Sequence, residues 1–129
     1  MRFLRIAGFV FIFFLACLEA SGEYGPRIIP VDAPWYFGRI KKGEVKEKTF
    51  KVKNVGDENL ILDKVHACCG YNVSDVSVWE LAPGSESEIM VTSDTSRKDE
   101  GRDSNVITIL SNDLDNGTLE VPVTSNIIE

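Results

Sequence analysis

The sequence predicts an all-β sandwich of about seven short antiparallel strands behind an N-terminal export signal. Three observations carry this. After the first segment, no stretch places apolar residues at i, i+3, i+4 and i+7 over a useful length. Short segments instead alternate apolar with polar residues or are rich in β-branched ones. Turn signals built from Gly, Pro, Asn and Asp recur roughly every 8–12 residues.

The first segment is read as a signal peptide, residues 1–20. Arg2 and Arg5 form a positive start, Ile6 to Leu18 is almost unbroken apolar sequence, and the small residues Ala16, Ala20, Ser21 and Gly22 follow. A spanning helix needs about 20 apolar residues, so this run is short for an anchor. Cleavage after Ala20 or after Gly22 both fit. Cys17, in Phe14-Leu15-Ala16-Cys17, is a lipidation candidate, although Phe14 and Leu15 suit a lipoprotein signal poorly. Without Arg2, Arg5 and Glu19 the formal charge of −6 becomes −7. An acidic chain argues against nucleic acid and anionic membranes as partners, since both depend on Lys and Arg contacts. Membrane contact is then expected only through the signal peptide or a lipid anchor. Of three cysteines, Cys68 and Cys69 remain after cleavage, which is not a disulfide-dense scaffold.

Residues 21–33 are a lead-in. Pro26, Pro30 and Pro34 exclude a helix, and Ile28, Ile29 and Val31 suit an edge strand. The sandwich domain is expected over 34–129. Trp35 to Ile40 is a first strand interrupted by Gly38. Lys41-Lys42-Gly43-Glu44 is a turn. Val45 to Asn54 alternates, with Lys46, Lys48, Phe50 and Val52 on one face. The cations Arg39, Lys41, Lys42, Lys46, Lys48, Lys51 and Lys53 crowd this region and read as the solvated face of a strand and its turn. Asn54 to Asn59 is a turn cluster. Leu60 to Ala67 is a strand in which Leu60-Ile61-Leu62 breaks alternation, so it is either buried on both faces or bulged. A short strand is expected at Val76 to Trp79, then the Ala82-Pro83-Gly84 turn. Glu86 to Asp94 is a strand with Ile89 and Val91 inward. Thr95 to Asp103 reads as a long polar loop, and Asn105 to Leu110 as a β-branched strand. A loop ending in Asn116-Gly117 leads to a last strand, Thr118 to Ile128. Pro122 donates no ladder bond, which suggests an edge or an outward-facing nitrogen.

These segments contain a series of phrases: Pro34–Glu44 with F-G-R-I and G-E, Phe50–Leu62 with F-K-V-K-N-V-G and N-L-I-L, Val65–Gly70 with H-A-C-C-G, Leu81–Ser85 with P-G-S, and Ile107–Asp113 with S-N-D. In that order the chain resembles a bacterial family of exported Ig-like domains of unknown function. That family is marked by Cys-Gly-Cys, Pro-Gly-Glu and Ser-Asn-Asp phrases and looks related to Hydin-type and major-sperm-protein-like Ig folds. The resemblance implies an Ig-like sandwich, export to the periplasm or cell surface, and no established activity. It supplies no catalytic residues. The chain departs from the pattern at Cys68-Cys69-Gly70, where the second cysteine is shifted by one, and at Ser85, which stands where Glu is usual.

The remaining candidates are few. His66 and Cys68 share a face of an extended strand while Cys69 points opposite, so two metal ligands converge where Zn or Cu needs three or four. A Cys68–Cys69 bridge is conceivable in an oxidising compartment, although adjacent Cα atoms, about 3.8 Å apart, lie closer than disulfides usually span. The preferred reading is two thiols, one buried as a small apolar residue and one near the loop. Cys69 or Cys68 as a nucleophile beside His66 lacks a third orienting group. Asp94, Asp99, Glu100 and Asp103 lack Ca²⁺-loop spacing and read as a solvated loop. Asn72 and Asn116 match glycosylation sequons but read as turn residues. Trp35, Tyr36, Phe37 and Trp79 are assigned to the core. The function expected is a non-catalytic, cofactor-free module that binds a protein or envelope component or serves structurally. The alternative is a redox-active or metal-handling envelope protein using Cys68, Cys69 and His66.

Overall fold

In the computed structural model, which describes residues 25–129, nine strands form two sheets packed face to face. The residues read as a signal peptide, with the lipidation candidate Cys17 among them, lie outside the described residues. The strands are β1 (Ile28–Pro30), β2 (Trp35–Lys41), β3 (Val45–Asn54), β4 (Leu60–His66), β5 (Tyr71–Val76), β6 (Glu80–Leu81), β7 (Glu86–Asp94), β8 (Gly101–Ser111) and β9 (Thr118–Ile128). One sheet runs β1-β3-β7-β5 and the other β2-β9-β8-β4-β6. The all-β sandwich is therefore as expected, with β1 and β6 as short additions to the seven longer strands. One pairing is not antiparallel: β2 runs parallel to β9, from Trp35 opposite Val123 to Lys41 opposite Ile128.

Alternation explains which residues meet between the sheets. Phe50 and Val52 from β3, Ile89 and Val91 from β7, Ile107 and Ile109 from β8, and Val121 and Val123 from β9 are all buried. Trp35 and Phe50 stack with ring centroids 4.6 Å apart, and Phe37 meets Phe50 edge-on at 5.5 Å. Two aromatics expected in this core are outside it: Tyr36 is 48% exposed and Trp79 is 47% exposed. Tyr36 lies between two inward residues of a strand, so the period of two turns it out. Trp79 lies beyond β5 in the link to β6.

Several local irregularities follow from the residues that cause them. Gly38 has φ +89°, and the β2–β9 register shifts between Tyr36 and Arg39, so β2 is bulged there. In β4 Leu60 and Leu62 are buried and Ile61 faces solvent, so Leu60-Ile61-Leu62 keeps the period of two and is neither buried on both faces nor bulged; the register shift lies just beyond it, between Leu62 and Lys64. The strand expected at Val76–Trp79 instead occupies Tyr71–Val76, because Val73 and Val76 pair with β7 and Ser77 to Trp79 make the turn. The expected loop after Thr95 is shorter, since β8 begins at Gly101 opposite Ile127. Pro122 is in an inner strand, not at an edge. It lies one residue before the pairing with β2 begins, so its missing N–H interrupts no bond to that neighbour.

The elements are tied together at their ends by buried polar side chains. Asn54, fully buried, donates to Glu58 O (2.7 Å) and Leu81 O (2.9 Å) and accepts from Arg27 N–H (3.2 Å) and Gly56 N–H (3.0 Å). Gly56 is required there, because a Cβ would collide with the Gly25 carbonyl. Thr95 accepts from Gly43 N–H at 2.9 Å and donates to Glu44 O at 2.7 Å, which closes the Lys41–Glu44 turn. Asp113 accepts from Ile28, Asp115 and Asn116 N–H. Burial alone would push its carboxyl up, but these three donors hold it below the usual carboxylate range. Asn112 accepts from Ile61 N–H at 2.7 Å. The Ser111-Asn112-Asp113 phrase thus hooks the β8–β9 loop onto β4 and β1.

Replacing Asn54 tests this arrangement. Asn54→Asp keeps the shape and the two acceptor contacts but turns a buried oxygen toward Glu58 O and Leu81 O. A loss of about 3 kcal/mol in unfolding free energy is expected by urea denaturation, against less than about 0.5 kcal/mol for an exposed control such as Asn126→Asp.

Candidate functional site

Between His66 and Tyr71 the chain must leave the five-stranded sheet and enter the four-stranded one. It does so in a tight reversal. Tyr71 N–H donates to Cys68 O at 3.1 Å, and the two central residues, Cys69 and Gly70, have φ +64° and +95°. Two consecutive positive φ values with this bond describe a type I′ turn. Glycine adopts the second position without cost, whereas a cysteine at the first is uncommon.

Cys68 and Cys69 are joined to each other by a disulfide at a Cα separation of 3.8 Å. Both residues are exposed. The expectation that one would be buried as a small apolar thiol is therefore corrected. The last residue packed against the core in this stretch is the half-buried Ala67, and the turn carries both cysteines past it into solvent. His66 is exposed on β4, paired with Thr108. Among the described residues, no group of three or more His, Cys, Asp or Glu is placed to hold a metal ion.

Behind the turn lies a cluster with no counterpart in the local sequence pattern. The Lys98 ammonium stands 3.7 Å from the centroid of the Tyr71 ring and 2.7 Å from Asp103 Oδ2. Its side chain is only 9% exposed, so it is a desolvated cation held by a ring face and a carboxylate. The Tyr71 hydroxyl shares a 2.8 Å hydrogen bond with buried Ser125. Burial, reinforced by Asp103, pushes this hydroxyl up to about 12, so it stays protonated at physiological pH. Asp94 is exposed, and Ser96 N–H, donating to it at 3.0 Å, holds its carboxyl below the ordinary range. Asp94 and Asp103 are thus engaged with Ser96 and Lys98 and do not form an open acidic loop. A shallow groove opens beside the turn, lined by Cys69, Gly70, Asn72, Asp94, Arg97 and Lys98. Of the sequon asparagines, Asn72 is in β5 and not in a turn; Asn116 is in the 113–116 loop.

Sequence alone could not bring Lys98 to Tyr71, since the two are joined only through the pairing of β5 with β7 and the turn after Asp94. The signal that was available is Gly70. A Cβ there would strike Lys98 Cε and lie 3.2 Å from Asp94 O, so the turn and the lysine are packed as one unit.

A family model described as "Protein of unknown function (DUF1573)" matches residues 32–127. The chain belongs to this family. No curated protein matches the chain. A crystal structure of a protein of unknown function from Porphyromonas gingivalis W83 is similar, with TM-score 0.68 and 16% identity. The match covers 82% of this chain and 48% of that one, so the chain spans about half the length of that structure. The ASH/PapD-like domain of human CEP192 (PapD-like domain 7) is similar at TM-score 0.53 and 13% identity, covering 83% of this chain and 87% of that one. The secreted serine protease VesC from Vibrio cholerae matches at TM-score 0.60 and 12% identity, over 87% of this chain and 25% of that one. At these identities the likeness shows the fold alone, an Ig-like, PapD-like sandwich. Family membership gives no reaction to place on the Cys68–Tyr71 turn.

Gly70→Ala is expected to cost about 2 kcal/mol or more in urea denaturation. It forces a side chain into a left-handed position and against Lys98. Shortening that lysine in Gly70→Ala/Lys98→Ala should not return the loss, since the backbone cost and the Asp94 contact remain.

Proposed function

We propose that the protein is a non-catalytic exported module that binds another protein or an envelope component through an open sheet edge. The observation that supports this most directly is the state of the edges. A closed barrel leaves none, but this sandwich ends its two sheets on β1, β5, β2 and β6. Two are blunted: β6 has two residues, and β5 is bulged between Val73 and Asp75, with Ser74 Oγ donating to Met90 O. β1 covers only the Val52–Asn54 end of β3, and Val31 N–H adds one bond to Lys51 O. The rest of β3, from Val45 to Phe50, has β7 on one side and no strand on the other. Free backbone groups of this kind serve strand addition. Affinity capture from envelope extract with the folded protein as bait, followed by cross-link mapping, tests the reading. A saturable partner cross-linked at a sheet edge is expected. Absence of any partner above background, with the bait shown folded by circular dichroism, overturns it.

A second reading is favoured by the exposure of Cys68 and Cys69. As a vicinal pair at the surface, they are open to thiol–disulfide exchange, in which a dithiol reductant would be oxidised and two thiols released. On this reading, thiol titration of protein without Cys17, cleaved of its first segment or carrying Cys17→Ala, gives no free thiol before treatment with a mild dithiol and two afterwards, with the circular dichroism spectrum unchanged. Two thiols reacting without reductant would end it.

A further inference from the structure

The open half of β3 coincides with an asymmetry of charge. Residues 39–53 hold Arg39, Lys41, Lys42, Lys46, Lys48, Lys51 and Lys53 against Glu44 and Glu47, in a chain whose formal charge is −6. Among the described residues, none of these cations is in an ion pair. They lie on β2, β3 and the turn between them, so they gather on the side of the sandwich where the uncovered edge lies. Lys48 reaches across the seam between the sheets to donate to Tyr36 O at 2.7 Å. The Lys46 ammonium stands beside the β2 bulge, 3.6 Å from where a Cβ on Gly38 would be.

At the other end of this open stretch is a groove of about 430 Å³, lined in part by Pro34, Trp35, Tyr36, Lys48, Thr49 and Phe50. Its aromatic members include the half-exposed Tyr36. Asp32 and Glu86 also line it and offset Lys48 and Lys51. The groove itself is therefore close to neutral, and Tyr36 is the aromatic ring it exposes, with Trp35 and Phe50 buried beneath it. The unbalanced positive charge lies further along β3, toward Arg39, Lys41, Lys42 and Lys46. Unlike β2 and β5, β3 pairs with β7 in unbroken register from Val45 to Lys53, so its free side is a regular template.

We infer that Val45–Phe50 accepts an extended segment of another protein that combines an apolar or aromatic anchor with a run of acidic residues. The segment continues the line of β1 alongside β3. Its anchor occupies the Trp35–Tyr36–Phe50 groove, and its carboxylates meet Lys46, Lys48 and the cations of the β2–β3 turn. This rests on the binding-module reading and names its edge and the chemistry of its partner. The lysines also discourage pairing between copies of the chain, since like charges would meet across a shared edge.

The test uses fluorescent peptides with the full chain. The first alternates Glu with Val and ends in a Tyr anchor. The second replaces Glu with Lys, and the third carries N-methyl groups on alternate residues, which blocks main-chain pairing but leaves the charge. The acidic peptide is expected to bind with an affinity that falls as salt is added, and the lysine peptide is expected not to bind. Lys46→Glu and Lys48→Glu should each weaken binding by about tenfold, whereas Lys64→Glu on β4, with the same change in net charge, should not. Amide resonances of Val45–Phe50 should shift on titration. Equal binding of the N-methylated peptide, or shifts confined to other strands, overturns strand addition in favour of unspecific charge attraction. No binding of any peptide overturns the inference. A partner captured from extract and cross-linked elsewhere would overturn it while the binding-module reading stands. Concentration-dependent dimerisation abolished by Lys46→Glu would assign the edge to a second copy and overturn it too.

Discussion

Asn54 closes β3 where the lead-in, the 54–59 turn, β6 and the Pro83-Gly84 turn converge, and its carboxamide is committed in both directions at once. The amide nitrogen donates to Glu58 O and Leu81 O, and the oxygen accepts from Arg27 and Gly56. Its backbone does the same, with Asn54 N–H donating to Ser85 O and its carbonyl accepting from Gly84 N–H. Neither Asp nor a hydroxyl residue offers two donors and two acceptors in this plane. Because the side chain is fully buried, each of these bonds would be costly to leave unmade. The position of β1 beside β3, and so the length of β3 that β1 leaves uncovered, depends on this junction.

The same device recurs at the other corners. Thr95 satisfies the turn between β2 and β3, and Asp113 satisfies the start of β1 and its own loop. Among the described residues no buried side-chain nitrogen or oxygen lacks a partner. A sandwich of this size has a thin core, and apolar packing alone specifies the ends of its strands weakly. Polar side chains that fit one set of backbone groups supply that specification, at positions separated by tens of residues in sequence.

This division explains what could be read from the chain before its structure. Strands with clean alternation, such as Glu86 to Asp94 and the second half of Val45 to Asn54, were legible because burial on one face imposes a period of two. Leu60-Ile61-Leu62 read as a broken period only because Ile61 is an apolar residue on the solvent face; the strand alternates there, and its bulge comes after Leu62. Pairing partners did not show. Nothing in Trp35 to Ile40 marks it as a parallel neighbour of the last strand, and nothing in Pro122 marks an inner strand that β2 covers only from Val123 onward. Tyr36 and Trp79 were assigned inward by composition, but position in the pleat put one out and a link between strands put the other out. At the cysteines, sequence supplied the residues but not the turn. The type I′ geometry at Cys69 and Gly70, and with it the exposure of both sulfurs, depends on the crossing from one sheet to the other and on Lys98, far along the chain.

Lys98 and the lysines of β3 show how one residue type takes opposite roles under different surroundings. Lys98 is almost fully buried, and its charge is balanced by Asp103 and the Tyr71 ring, so it acts as a structural pin beneath the Cys68–Cys69 turn. Lys46 and Lys48 share a face with Phe50 and Val52, yet they stand where the two sheets part at the open side of the sandwich. Their stems cover the end of the core while their ammonium groups stay in water. A cation that is already paired has little to offer a partner, because forming a new contact means breaking the old one. Lys46, held near an uncovered backbone edge without a counter-ion, carries no such penalty, and Lys48 would give up only its bond to the Tyr36 carbonyl. The molecule therefore has one side where charge is spent on holding the fold and another where charge and hydrogen-bonding groups are left over together, and a binding role would draw on the second.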